Sequence, residues 1–144
     1  MKPVRRIVCA DGPDGKSRAI ADGPAPDVRT DPARPGFSST FIWATDATPA
    51  RIDGDPPRVL APPPGGSFCR ILTFPPERAL RDMQETRTLD FCLILEGEIT
   101  LVLDTEEVEL RAGDTVVQRG TRHAWSNRSS RPCVIAISSH DATT

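Results

Sequence analysis

The stretch Gly113-Asp114-Thr115-Val116-Val117-Gln118-Arg119-Gly120-Thr121-Arg122-His123-Ala124-Trp125-Ser126-Asn127 decides how this chain is read. Glycines at 113 and 120 punctuate two short runs with β-branched and aromatic residues, the pattern of strands closed by tight turns. His123 stands in the second run and is one of two histidines in the chain, the other being His140 near the C-terminal end. Imidazole is the commonest metal ligand and the side chain best suited to move protons near neutral pH, so the surroundings of His123 set the functional question.

Outward from this stretch the same pattern repeats. Strands are expected at residues 67–74, 88–95, 98–104, 108–111, 115–118, 122–127 and 132–138, with Glu96-Gly97 as the tight turn between the second and third. Ile99, Leu101 and Leu103 alternate with polar neighbours, as do Val108 and Leu110 with Glu107 and Glu109, so each strand has one face in and one out. No segment has sustained helical periodicity, and only residues 76–83 suit a turn of helix. Toward the N-terminus, strands at 5–10 and 17–21 flank the turn Asp11-Gly12-Pro13-Asp14-Gly15, 22–39 reads as loop, and 39–45 as a strand. Pro56-Pro57 and Pro62-Pro63-Pro64-Gly65-Gly66 forbid regular structure nearby. The expectation is one all-β domain: a hairpin arm and first strand (1–45), a Pro/Gly-rich loop (46–66), a barrel core (67–139) and a polar tail (140–144).

Composition narrows the function classes. A length of 144 residues suits one compact domain, and 18 basic against 20 acidic residues give no electrostatic case for nucleic acid or an anionic membrane. No apolar run approaches the roughly 20 residues needed to cross a bilayer, and the first residues lead into no signal-type segment. A cytoplasmic protein acting on a small molecule is expected. Four cysteines at 9, 69, 92 and 133 lack paired spacing, which points to reduced, mostly buried thiols.

The segment from Thr88 to Asn127 resembles a cupin, the double-stranded β-helix or jelly-roll barrel. The later of the two cupin motifs is matched by Gly113, Gly120, His123 and Asn127, with Arg119 where a turn proline is usual and a spacing one residue shorter than the common form. The earlier motif keeps its glycine turn as Leu95-Glu96-Gly97-Glu98, and counting back puts Gln84 and Thr86 at its two histidine positions and Asp90 at its acid position. The resemblance implies a metal held by three imidazoles and a carboxylate, of which only His123 and a carboxylate at Asp90 remain. No tightly held metal or other cofactor is therefore expected, a weakly held divalent ion being the alternative. It also implies a homodimer, with the 5–21 hairpin as a candidate exchanged element.

If Asp90 faces inward, the period of two sends Cys92 and Ile94 with it, and Gln84, Thr86 and Thr88 share that parity, while Thr121, Trp125 and Asn127 follow His123. Such a lining is that of a small-molecule pocket. Arg70, within the apolar run Phe68 to Leu72, suggests a carboxylate partner in Asp90, Glu85 or a ligand, set against an edge-strand arginine facing water. The function expected is a metal-independent acid/base lyase or isomerase (cyclase, dehydratase or decarboxylase type) acting on an enolisable or phenolic metabolite. His123 would be its base or acid and Asp90 would orient it, with Gln84, Thr86, Arg70, Cys92 and Trp125 binding substrate. The alternatives are a metal-dependent cupin oxygenase or lyase with an atypical ligand set, and a non-catalytic binding cupin. In the purely structural reading His123 bonds to Asp90 or to a backbone carbonyl, and Trp125 and Trp43 are core.

Overall fold

The computed structural model describes residues 2–79 and 81–143, and all regular structure among them is β. β1 (Arg5–Asp11) and β2 (Ser17–Pro24) form the N-terminal hairpin. The other strands are β3 (Val28–Thr30), β4 (Ser38–Thr45), β5 (Ser67–Phe74), β6 (Thr88–Glu96), β7 (Glu98–Val102), β8 (Glu107–Arg111), β9 (Thr115–Arg119), β10 (Ala124–Ser126) and β11 (Cys133–Asp141). They form a six-stranded antiparallel sheet, β3-β4-β5-β11-β6-β9, and a three-stranded one, β10-β7-β8.

Alternating side chains fill the space between the two sheets. Cys92 and Ile94 of β6, Cys133, Ile135 and Ile137 of β11, and Ile99 and Leu101 of β7 form the core with Leu72, Phe74 and Leu110. Each such aliphatic side chain contributes about 1.5–3 kcal/mol by leaving water, so this interleaved layer is what sets the register of both sheets. Gly97, at φ 81°, turns the chain from β6 into β7. A Cβ there would meet the carbonyl oxygen of Pro132, so glycine is required twice over. On β4 a bulge between Phe41 and Trp43 shifts the register: Phe41 lies opposite Arg70 and Trp43 opposite Cys69. The extra residue puts the two aromatics on opposite faces, Phe41 with the barrel interior.

Four expectations are corrected. Residues 22–39 contain β3, three exposed residues whose lack of alternation hides them from pattern reading. The described residues of 76–83 form no helix; Leu80 lies outside the described residues, as do Met1 and Thr144 of the expected arm and tail. β11 runs on to Asp141, so His140 belongs to a strand, with its ring 4.9 Å from that of Phe91. Of the cysteines, Cys92 and Cys133 are buried, but Cys9 is exposed on the hairpin.

Candidate functional site

The inner faces of β5, β6 and β11, the start of β10 and the crossing segment 75–87 enclose a cavity of about 140 Å³. Around it stand His123, Asp90, Gln84, Thr86, Arg70, Cys92 and Trp125, together with Leu72, Phe74 and Ile137. The period-of-two reading of β6 thus corresponds to the observed parity, Asp90, Cys92 and Ile94 being buried while Phe91, Leu93 and Leu95 are exposed. Of the other residues grouped by parity, Asn127 is buried but donates to the carbonyls of Phe74 and Arg131, and Thr121 is exposed.

His123 is held by its backbone and by one ring nitrogen. An isolated antiparallel bridge pairs it with Gln84, the two N–H groups donating to the opposite carbonyls at 2.7 and 2.8 Å. This bridge ties the crossing segment to the residue that leads into β10 and bears the imidazole. Nδ1 lies 2.8 Å from the carbonyl oxygen of Thr121. A carbonyl only accepts, so Nδ1 carries the proton and the neutral ring keeps its lone pair on Nε2. The edge of the ring meets Trp125, at a centroid distance of 5.9 Å and an interplanar angle of 79°.

Asp90 does not orient His123. Among the described residues no hydrogen bond joins them; Asp90 Oδ1 instead accepts the Thr88 hydroxyl at 2.8 Å. The expected dyad is corrected for a geometric reason: the Thr121 carbonyl, two residues away on the same segment, holds the ring through Nδ1, and Asp90 is turned to the Thr88 hydroxyl. In the sheet, Asp90 is paired with Ser139 of β11 on one side and Gln118 of β9 on the other.

Arg70 is likewise reassigned. β5 lies between β4 and β11, so it is no edge strand, and the guanidinium turns inward. Its Nη1 donates to the Ser139 hydroxyl at 2.9 Å and its Cζ lies 4.9 Å from the Phe68 ring centroid. No carboxylate among the described residues comes within ion-pair distance of it. Burial pushes its pKa below the usual guanidinium value, opposed by the charge of Asp90. Cys92 is pushed up to about 12, first by burial and then by the Asp90 charge, so it remains a thiol at neutral pH.

Among the described residues two buried polar side-chain atoms lack hydrogen-bond partners, the Thr86 hydroxyl on the cavity wall and the side-chain nitrogen of Gln118, which pairs with Asp90 in the sheet. Gln118 and Ser139 escaped the sequence reading. Ser139 continues the inward period of Cys133, Ile135 and Ile137, a signal masked by its polar neighbours. Also unforeseen is the clamp on the crossing segment: Glu77 receives Arg34 Nε at 2.8 and 2.9 Å and a two-pronged bond from Arg81 at 2.7 and 3.1 Å. These arginines, Arg81 foremost, hold the Glu77 carboxyl down at about 2.

For a metal of the kind the resemblance implies, the cavity offers one imidazole, His123, two carboxylates, Asp82 and Asp90, and the Cys92 thiol. Among the described residues no group of three His, Cys, Asp or Glu side chains converges on a common point. Gln84 and Thr86 supply neutral oxygens, weak ligands for a first-row ion, so the residues present do not fit such a metal.

The family description "Cupin domain", Cupin_2, matches residues 70–139. A phomopsin biosynthesis cluster protein of Diaporthe leptostromiformis is 48% identical over 67 residues, covering 46% of this chain and 35% of that protein. Cupin-domain-containing oxidoreductases of Hypocrea virens and Aspergillus ruber are 35% and 34% identical over 97 residues, 62% of this chain and 50% and 47% of theirs. The chain thus spans half or less of the length of these relatives. Among solved structures, the cupin domain of Schizosaccharomyces pombe Cnp3 aligns over 96% of this chain and 88% of its own, at TM-score 0.60 and 8% identity. A cupin 2 conserved barrel domain protein of Salinispora arenicola aligns over 81% and 82%, at TM-score 0.55 and 18% identity. At such identities the likeness is one of fold.

Proposed function

We propose that this chain, whose residues 70–139 match the cupin domain family, is a small-molecule enzyme of the cupin superfamily in which His123 transfers a proton. The reaction proposed is of lyase or isomerase type (cyclase, dehydratase or decarboxylase) on an enolisable or phenolic metabolite. The observation that carries this reading is the Nδ1 bond to the Thr121 carbonyl, which leaves Nε2 as the available base on a buried cavity wall. In the step proposed, Nε2 takes a proton from the substrate carbon or hydroxyl, and the electron pair of that bond passes into the substrate's enolate or phenolate. The imidazolium then returns the proton to a second atom, so no oxidant or reductant is consumed. Asp90 is assigned to a substrate hydroxyl, and the partnerless Thr86 hydroxyl supports an oxygen-bearing ligand beside it. The protein is proposed to act as a homodimer.

The test is proton exchange. Incubated in D₂O with a panel of enolisable and phenolic acids and ketones, the wild type is expected to convert or deuterate at least one, followed by NMR. His123→Gln should lower that rate by about 100-fold or more, with an unchanged melting temperature. Equal rates in the two proteins overturn the assignment.

A second reading, an oxidoreductase, is favoured by the likeness to the cupin-domain-containing oxidoreductases of Hypocrea virens and Aspergillus ruber. Metal analysis of protein purified without chelator separates the two. Near-stoichiometric iron, manganese, nickel or zinc, lost together with activity on dialysis against chelator, would establish the second reading; activity that survives chelation is expected under the first.

A further inference from the structure

Arg70 lines two cavities. Besides the chamber of His123, it borders a larger one of about 440 Å³ on the same inner face of the sheet, toward β3 and β4. The wall of this outer chamber is apolar where Phe41 and Phe68 stack at 5.8 Å and where Val59 and the exposed Leu60 of the Pro/Gly-rich loop border it. Its charged residues are Arg29, Arg58 and Arg70 against a single acid, Asp27, which lies 3.4 Å from Arg58. The chamber is therefore an apolar box with surplus positive charge.

Size decides how the two chambers are used. A cavity of roughly 150 Å³ takes a molecule as small as benzene, whereas pockets for metabolites of ordinary size run to roughly 300–1,000 Å³. At about 140 Å³ the inner chamber has room for the reacting end of a ligand only, while the outer one, at about 440 Å³, has room for its body. At the junction stands a guanidinium whose protein contacts are one serine hydroxyl and one aromatic face. Asp90 faces the same chamber and its charge acts on Arg70, but no carboxylate of the described residues comes within ion-pair distance, so the fork of this largely buried cation is left open to a ligand carboxylate, the planar two-oxygen group it fits.

We infer that Arg70 is the anchor for a substrate carboxylate. The substrate class is an amphipathic monocarboxylic acid: its carboxylate sits on Arg70 at the junction and its apolar body lies against the stacked wall of Phe41 and Phe68 on the side that Leu60 borders. The atoms within a bond or two of the carboxylate then face Nε2 of His123. This rests on the proton-transfer reading above and adds to it the identity of the anchoring group and the direction in which the substrate enters.

The probe pair is 4-phenylbutanoate and its neutral isostere 4-phenylbutanamide, titrated calorimetrically into the full chain. The wild type should bind the acid at least about 10-fold more tightly than the amide, a difference of about 1.4 kcal/mol. Arg70→Gln should abolish that preference, and Leu60→Asp, on an exposed loop residue, should weaken both ligands. If Arg70→Gln fails to fold, Arg70→Lys decides, since it keeps the charge but loses the fork and should reduce the preference. Equal binding of acid and amide by the wild type, no binding of the acid at millimolar concentration, or an unaltered preference in the Arg70 variant overturns the inference. Full turnover in His123→Gln sinks the proton-transfer reading alone, whereas an acid preference missing from the wild type or unaltered in Arg70→Gln sinks the Arg70 anchor alone.

Discussion

A ring nitrogen bound to a backbone carbonyl has its protonation settled by geometry, and at His123 this leaves Nε2 as the only basic atom of the ring. The neighbouring thiol is not a competitor for chemistry. Cys92 is pushed up to about 12 and Cys133 to about 11, both chiefly by burial, whereas Cys9 lies exposed on the hairpin. Iodoacetamide at neutral pH should therefore modify Cys9 in the native protein, and Cys92 and Cys133 only after denaturation, as read by peptide mass spectrometry. Native labelling of Cys92 would contradict its burial in the barrel. The inward parity of Asp90 and Cys92 was legible from strand alternation, because a pleated strand admits only two faces. The Asp90–His123 pairing expected from the same pattern was not found, because alternation assigns a face and says nothing of which neighbour reaches a given atom first.

The crossing segment 75–87 is the element on which the site depends. It has no regular structure among its described residues, and is held at one end by Glu77, whose N–H also donates to the Asn127 carbonyl at 2.8 Å, and at the other by the Gln84–His123 bridge. Because the Glu77 carboxyl is held down at about 2 by Arg81 and Arg34, its stabilising contribution is complete above the ordinary carboxylate value of about 4.5 and is lost as pH falls toward about 2. Glu77→Gln should cost about 2 kcal/mol in urea unfolding at pH 7. The gap from wild type should close steadily below about 4.5. A gap that is independent of pH would assign the loss to packing instead. None of this was visible in the sequence, where Pro75-Pro76-Glu77 reads as a helix start. Similarly β3 was hidden by full exposure, and the end of β11 by Ser138, Ser139 and His140, polar residues that read as tail although Ser139 is 3% exposed beneath Arg70.

At the scale of the molecule, two apolar surfaces stand out. The outer face of the large sheet exposes Phe91, Leu93, Leu95 and Val117, and the hairpin exposes Ile7 and Ile20. A lone two-stranded hairpin is marginal in water, and this one meets the barrel through Arg6, which donates to the Ile42 carbonyl at 3.1 Å and lies over Trp43. Under the homodimer proposal, light scattering should give twice the chain mass, and Leu93→Glu with Val117→Glu should halve it without unfolding the barrel. A wild-type monomer at micromolar concentration would dispose of the dimer. Strand spacing, the glycine turns and the inward face of β6 were written in the local order of residues, since each follows from alternation or backbone freedom over a few positions. The free nitrogen of His123, the separation of Asp90 from it and the place of Arg70 between two chambers were decided only when β5, β10 and β11 met. They depend on contacts such as Arg70 with Ser139, 69 residues apart, which no local pattern encodes.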